Sequence, residues 1–110
     1  MATGSSAVLG VDVGTSSTKG VLVGLDGTIL RSAVREHAVQ RPAPGHVEMD
    51  PRIWWDEFVA IAQELTAPAD VEVTAVGVSG MGPCVVLTDE AGTPVRPAIQ
   101  IGRASCRERV

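Results

Sequence analysis

The chain has 110 residues, a formal charge of −4, 45% hydrophobic residues and a mean hydropathy of +0.20. These values exclude a disordered polymer, the acidic balance argues against a general nucleic-acid-binding role, and no apolar run reaches the length of a membrane span. A chain of this size is one domain at most, and an enzyme that encloses two substrates in a cleft needs two lobes, so the sequence reads as part of a longer protein.

Met1 to Ser6 is small and polar, lacks the basic start and apolar centre of a secretory signal, and reads as a disordered start. Cys84 and Cys106 are too few for a disulfide scaffold and lack metal-ligand spacing, which points to thiols in a reducing, cytoplasmic setting. Val8 to Val13 has the β-branched content of a buried strand, and Gly14 with Thr15, Ser16 and Ser17 is a turn signal. Asp12 therefore stands where a strand leaves a sheet. Two readings of that carboxylate stay open: an Asx-type acceptor for the turn's own backbone, or a ligand to Mg²⁺ beside a nucleotide.

A Rossmann or P-loop site needs a helix directly after its glycine turn. Here the chain enters another strand: Thr18 to Val23 is rich in β-formers, Asp26-Gly27 is a hairpin dipeptide, and Thr28 to about Val34 resumes the pattern. The prediction is a three-stranded antiparallel meander. Its first turn, Gly14 to Ser17, can surround a phosphate with backbone N–H groups and hydroxyls while Asp12 supplies the negative charge that a Mg²⁺ ion needs. Lys19 lacks the spacing of a P-loop lysine and reads as a solvated strand residue. Arg31 to His37 looks like an exposed strand end, Arg41 to Gly45 forces an irregular connection, and His37 and His46 read as surface residues.

Asp50-Pro51 starts a helix that runs to about Leu65 or Thr66, with a capping oxygen followed by a preset φ. Trp54, Phe58, Ile61 and Leu65 form its apolar stripe, widened by Trp55, Val59 and Ala62, with Asp56, Glu57, Gln63 and Glu64 on the other side. Both tryptophans are expected in the core, where a domain with three aromatic residues needs their area. After Pro68, Val71 to Val78 is a further strand with a right-handed crossover expected, and Ser79 to Cys84 breaks the pattern with two glycines and a proline. Cys84 to Thr88 and Val95 to Ile99 read as strands around the turn Asp89 to Thr93, with Cys84 a buried structural thiol.

The opening hairpin, Glu48-Met49-Asp50-Pro51 with Trp54-Trp55, the strand Ala75 to Ser79, and Val95-Arg96-Pro97-Ala98-Ile99 together resemble the amino-terminal part of the FGGY family of carbohydrate kinases. The resemblance spans roughly residues 7 to 100 and rests on the order and spacing of several weak motifs. It implies an α/β, ribonuclease-H-like (actin-like ATPase) fold, present in part, with the meander, a helix and further strands in a mixed sheet. It also implies phosphorylation of a sugar or polyol by ATP and Mg²⁺. Asp12 would be linked to the metal, Gly14, Thr15, Ser16 and Ser17 would hold phosphate, and Met81, Gly82, Pro83 and Glu48 would lie at the sugar, although Glu48 reads equally as a loop carboxylate.

At what look like Gly82 and Pro83, xylulokinases usually carry Met-His and glycerol kinases Arg-Glu. Neither pair is present. Pentulose, hexulose and gluconate-type substrates therefore all remain open. In the resembling enzymes the catalytic aspartate and the adenosine lobe follow further along, so no carboxylate here is assigned as the base and the piece alone is expected to be inactive. The full-length protein is a possible homodimer. Residues 101–110 match neither the strand pattern nor the family and read as a non-native tail of the kind a sequencing or assembly artefact leaves. The alternatives are a non-catalytic nucleotide-binding module of the actin-like fold and a small interaction domain whose hairpin is purely structural.

Overall fold

The computed structural model describes residues 5–80 and 84–100. Three strands, β1 (Ser5–Val13), β2 (Ser17–Gly24) and β3 (Ile29–Glu36), form the antiparallel meander expected from the sequence. β1 begins at Ser5, so two of the six residues expected to fray belong to the strand; the other four lie outside the described residues, as do Met81 to Pro83 and the tail. Gly27 turns the second hairpin at φ 91°, a conformation that glycine adopts without a Cβ clash.

A short strand, β4 (Glu48–Met49), precedes the helix α1 (Arg52–Thr66). Asp50 and Pro51 act as their types predict: Asp50 Oδ1 accepts the Arg52 N–H at 3.0 Å, and Pro51 stands at φ −67°. The Arg52 guanidinium at Asp50 also holds that carboxyl below its ordinary range. The chain then returns as β5 (Val71–Gly80), parallel to β1, giving a mixed sheet of order β3-β2-β1-β5. The last strands, β6 (Cys84–Val85) and β7 (Ala98–Gln100), are shorter than their β-rich sequence suggests and join β4 in a second, antiparallel sheet of order β4-β7-β6. Pro94 and Pro97 lack the N–H that a longer ladder requires.

Ala7, Leu9 and Val11 of β1, Leu22 of β2, Ala33 of β3, and Ile61 and Leu65 of α1 make the buried core, with Phe58 and Ala62 packed against it. Gly20 allows the helix this close, since a Cβ there would stand 2.3 Å from Ile61 Cγ2. The expected placement of the tryptophans needs correction. Trp55 is 66% exposed and stacks on Phe58, with ring centroids 5.7 Å apart, because its helical position lies beside the buried Ile61–Leu65 stripe rather than on it. Trp54 is half-buried and lines a small cavity together with Val13, Gly80 and Cys84, and its indole N–H has no hydrogen-bond partner among the described residues.

Candidate functional site

Period-two alternation along β1 sends Ala7, Leu9 and Val11 toward α1 and therefore sends Asp12 to the opposite face. Asp12 is exposed there, opposite Lys19 on β2 and Ser79 on β5, and its Oδ1 accepts the Ser79 hydroxyl at 2.8 Å. The backbone and side chains of Gly10, Asp12, Lys19, Val21, Gly77 and Ser79 line a shallow groove on this face.

That turn closes with the Gly14 N–H donating to the Ser17 carbonyl at 2.8 Å, after which the chain doubles back into β2 and forms no helix. Thr15 and Ser16 are exposed at its tip. A Cβ on Gly14 would lie 3.0 Å from the Ser17 carbonyl oxygen and 4.0 Å from Asp12 Oδ2, so any larger residue would fill the space between the carboxylate and the turn. Among the described residues no three His, Cys, Asp or Glu side chains gather into a metal cluster. The donors here are hard oxygens around one carboxylate, a set suited to a Mg²⁺ ion that keeps its water and phosphate ligands.

The turn is gripped from the helix side by residues that the sequence reading assigned elsewhere. His37, expected at the surface, has a side chain only 5% exposed. Its backbone N–H donates to the Ser16 carbonyl at 2.9 Å, its Nε2 lies 2.9 Å from the Gly14 carbonyl, and its Nδ1 lies 2.8 Å from Glu57 Oε1. The fully buried Thr18 hydroxyl donates to the same Glu57 oxygen at 2.7 Å. Glu57 was placed on the polar side of the helix, yet it precedes Ile61 and Leu65 at steps of four, and that spacing already puts it on the stripe that faces the sheet. The His37 contacts have no comparable local signal.

Glu48 is 9% exposed and ion-paired with Arg96, whose Nη2 donates to Glu48 Oε2 at 2.5 Å; the pair joins the β4–β7 edge of the second sheet to the loop before β7. Cys84 is partly buried, and that burial pushes its thiol pKa up, away from nucleophilic character. Met81, Gly82 and Pro83 follow the end of β5 and lie outside the described residues.

The family model for the FGGY family of carbohydrate kinases, N-terminal domain, matches residues 7–109. A xylulose kinase from Staphylococcus xylosus is 31% identical over 93 residues, and a glycerol kinase from Methylorubrum extorquens (strain PA1) is 38% identical over 97, each alignment covering 84% of this chain. The chain spans 19% of the length of either relative. The crystal structure of xylulose kinase from Rhodospirillum rubrum superposes with a TM-score of 0.82 at 39% identity, over 94% of this chain and 23% of that one.

Proposed function

Since the chain belongs to the FGGY family of carbohydrate kinases, as its amino-terminal domain segment, we propose that the protein carrying it transfers the γ-phosphoryl group of ATP to a sugar or polyol hydroxyl. The observation that supports this most directly is the pairing of an exposed Asp12 with a tight, helix-less Gly14–Ser17 turn on one face of the sheet. In this reading Gly14, Thr15, Ser16 and Ser17 receive the nucleotide phosphates, Asp12 holds Mg²⁺ directly or through its waters, and the ion offsets negative charge on the phosphates. Phosphoryl transfer depends chiefly on positioning and charge stabilisation, which is the part such a turn and carboxylate can perform.

Met81, Gly82 and Pro83 are the proposed sugar contacts, placed by sequence at the end of the parallel strand, where α/β sheets present ligand loops. Glu48 is proposed with them, although its carboxylate is already engaged by Arg96. The catalytic base and the adenosine lobe belong to the remainder of the protein, so the segment alone does not turn over. A cytoplasmic location fits a kinase that draws on ATP; among the described residues no helix is long and apolar enough to cross a membrane. The full-length protein is also proposed as a homodimer.

The test is a panel of ketoses, polyols and aldonates offered to the full-length protein with MgATP. Substrate-dependent ADP release from one class supports the reading. Nucleotide binding without ADP release for any of them would instead favour a non-catalytic nucleotide-binding module of the same fold.

A further inference from the structure

The contacts of His37 fix its protons. The Gly14 carbonyl can only accept, so Nε2, 2.9 Å away, carries a hydrogen. An ionised Glu57 can also only accept, and its Oε1 already takes the Thr18 hydroxyl, so Nδ1, 2.8 Å away, carries the second. If the Glu57 carboxyl holds that second proton instead, it donates to Nδ1, and the pair binds the same number of protons. Remove one proton and two lone pairs face each other at one of these contacts.

We propose that His37 is a positioning residue of the phosphate turn: with its ring anchored by Glu57, its ring and backbone nitrogens hold Gly14–Ser17 in the shape that receives the nucleotide phosphates. The inference rests on the reading of that turn as the phosphate site. Three bonds converge on the turn from this side, two from the ring and backbone of His37 to the carbonyls of Gly14 and Ser16, and one within the turn from Gly14 to Ser17. The Gly14 and Ser16 carbonyls are thus held by a residue whose ring Glu57 of α1 anchors, so the shape of the turn is fixed by contacts made outside it. The charged group at the ring is Glu57 of α1; Glu64 of the same helix is taken up by Arg35 of β3 at 2.6 Å, and Glu36, the residue before His37, is exposed at the strand end.

The experiment measures KM for MgATP and kcat in the full-length kinase, for the wild type, for His37→Ala and for His37→Gln, which keeps one neutral donor. The expected result is a several-fold rise in KM for MgATP in His37→Ala, with kcat changing less, and partial recovery of KM in His37→Gln. Variants that keep the wild-type KM overturn the proposal. Imidazole and amide ¹⁵N resonances of the unsubstituted protein, assigned with His46→Gln, give an independent reading that needs no folded His37 variant. Adding MgADP should move the ring nitrogens of His37 together with the amides of Thr15, Ser16 and Ser17, and a ring that stays still while those amides move also overturns it. If the turn moves with the ring but Asp12→Ala leaves turnover unchanged, the kinase site reading has failed and the His37 grip has not.

Discussion

Asp12 and Ser79, 67 positions apart in the chain, meet across the β1–β5 pair with the serine hydroxyl donating to the carboxylate at 2.8 Å. The bond fixes the side chain on the face away from α1, with its other oxygen, Oδ2, 4.0 Å from where a Cβ on Gly14 would stand. One exposed carboxylate is thereby held beside the Gly14–Ser17 turn.

Replacing Asp12 with alanine in the full-length protein should lower Mg²⁺-dependent turnover by about 100-fold or more, the order seen when one preorganised charge-stabilising group is lost. The fold should survive, because Asp12 is exposed and outside the core. Steady-state kinetics beside circular dichroism check both halves, and unchanged turnover would remove Asp12 from the site.

Gly20→Ala should destabilise the 110-residue chain. Alanine restricts the unfolded strand and so contributes roughly 0.5–1 kcal/mol in favour of folding. Against that, the new methyl would stand 2.3 Å from Ile61 Cγ2, a fully buried side chain with no open direction to retreat into. Overpacking of this kind costs about 1–3 kcal/mol and should win. Urea unfolding measures the balance; a variant more stable than the wild type would show that the helix can lift at no cost.

Thr18→Val keeps the shape of a fully buried residue and deletes its hydroxyl donor to Glu57. The expected loss is about 1 kcal/mol, the net value of one hydrogen bond to a carboxylate that keeps a second partner in His37. Equal stability of variant and wild type in urea would mean that solvent replaces the hydroxyl at Glu57.

Glu48→Gln separates two roles. If the carboxylate only ties β4 to Arg96, the variant loses about 1–2 kcal/mol, less than a fully buried pair because Arg96 is partly exposed, and KM for the sugar stays put. If Glu48 also contacts the sugar, KM for the sugar rises while KM for MgATP does not. Sugar and nucleotide titrations of the full-length variant distinguish the outcomes.

Arg31 joins β3 to the end of α1: its Nε donates to the Leu65 carbonyl at 2.9 Å, and its two terminal nitrogens grip Asp70 at 3.0 and 3.1 Å. The Arg31 hydrogen bonds hold the Asp70 carboxyl below its ordinary value of 3.8. A carboxyl lowered in the folded state stabilises above the unfolded value and loses that contribution as pH falls through the folded one. Asp70→Asn should therefore unfold slightly more readily at neutral pH and converge with the wild type in strong acid. The gap should narrow with added salt, since the pair is exposed. A gap of constant size in acid unfolding curves would assign the effect to something other than this charge.

The strands of the meander, the Gly14 turn, the helix from Asp50-Pro51 and the exposed position of Asp12 were all legible in the chain, because each is set by residues within a few positions of one another: β-branched runs, a glycine where the backbone must turn, an acceptor before a proline. The identity of the family was legible for a similar reason, as an ordered series of such local signals. Contacts between distant faces were not. That His37 is covered and gripped by Glu57 and Gly14, that Trp55 is left in solvent, and that Glu48 and Met49 form a strand with β7 depend on how far α1 extends over the sheet and which side of it meets which strand. Such pairings, 20 to 67 residues apart, follow from packing as a whole, and only the folded arrangement decides them.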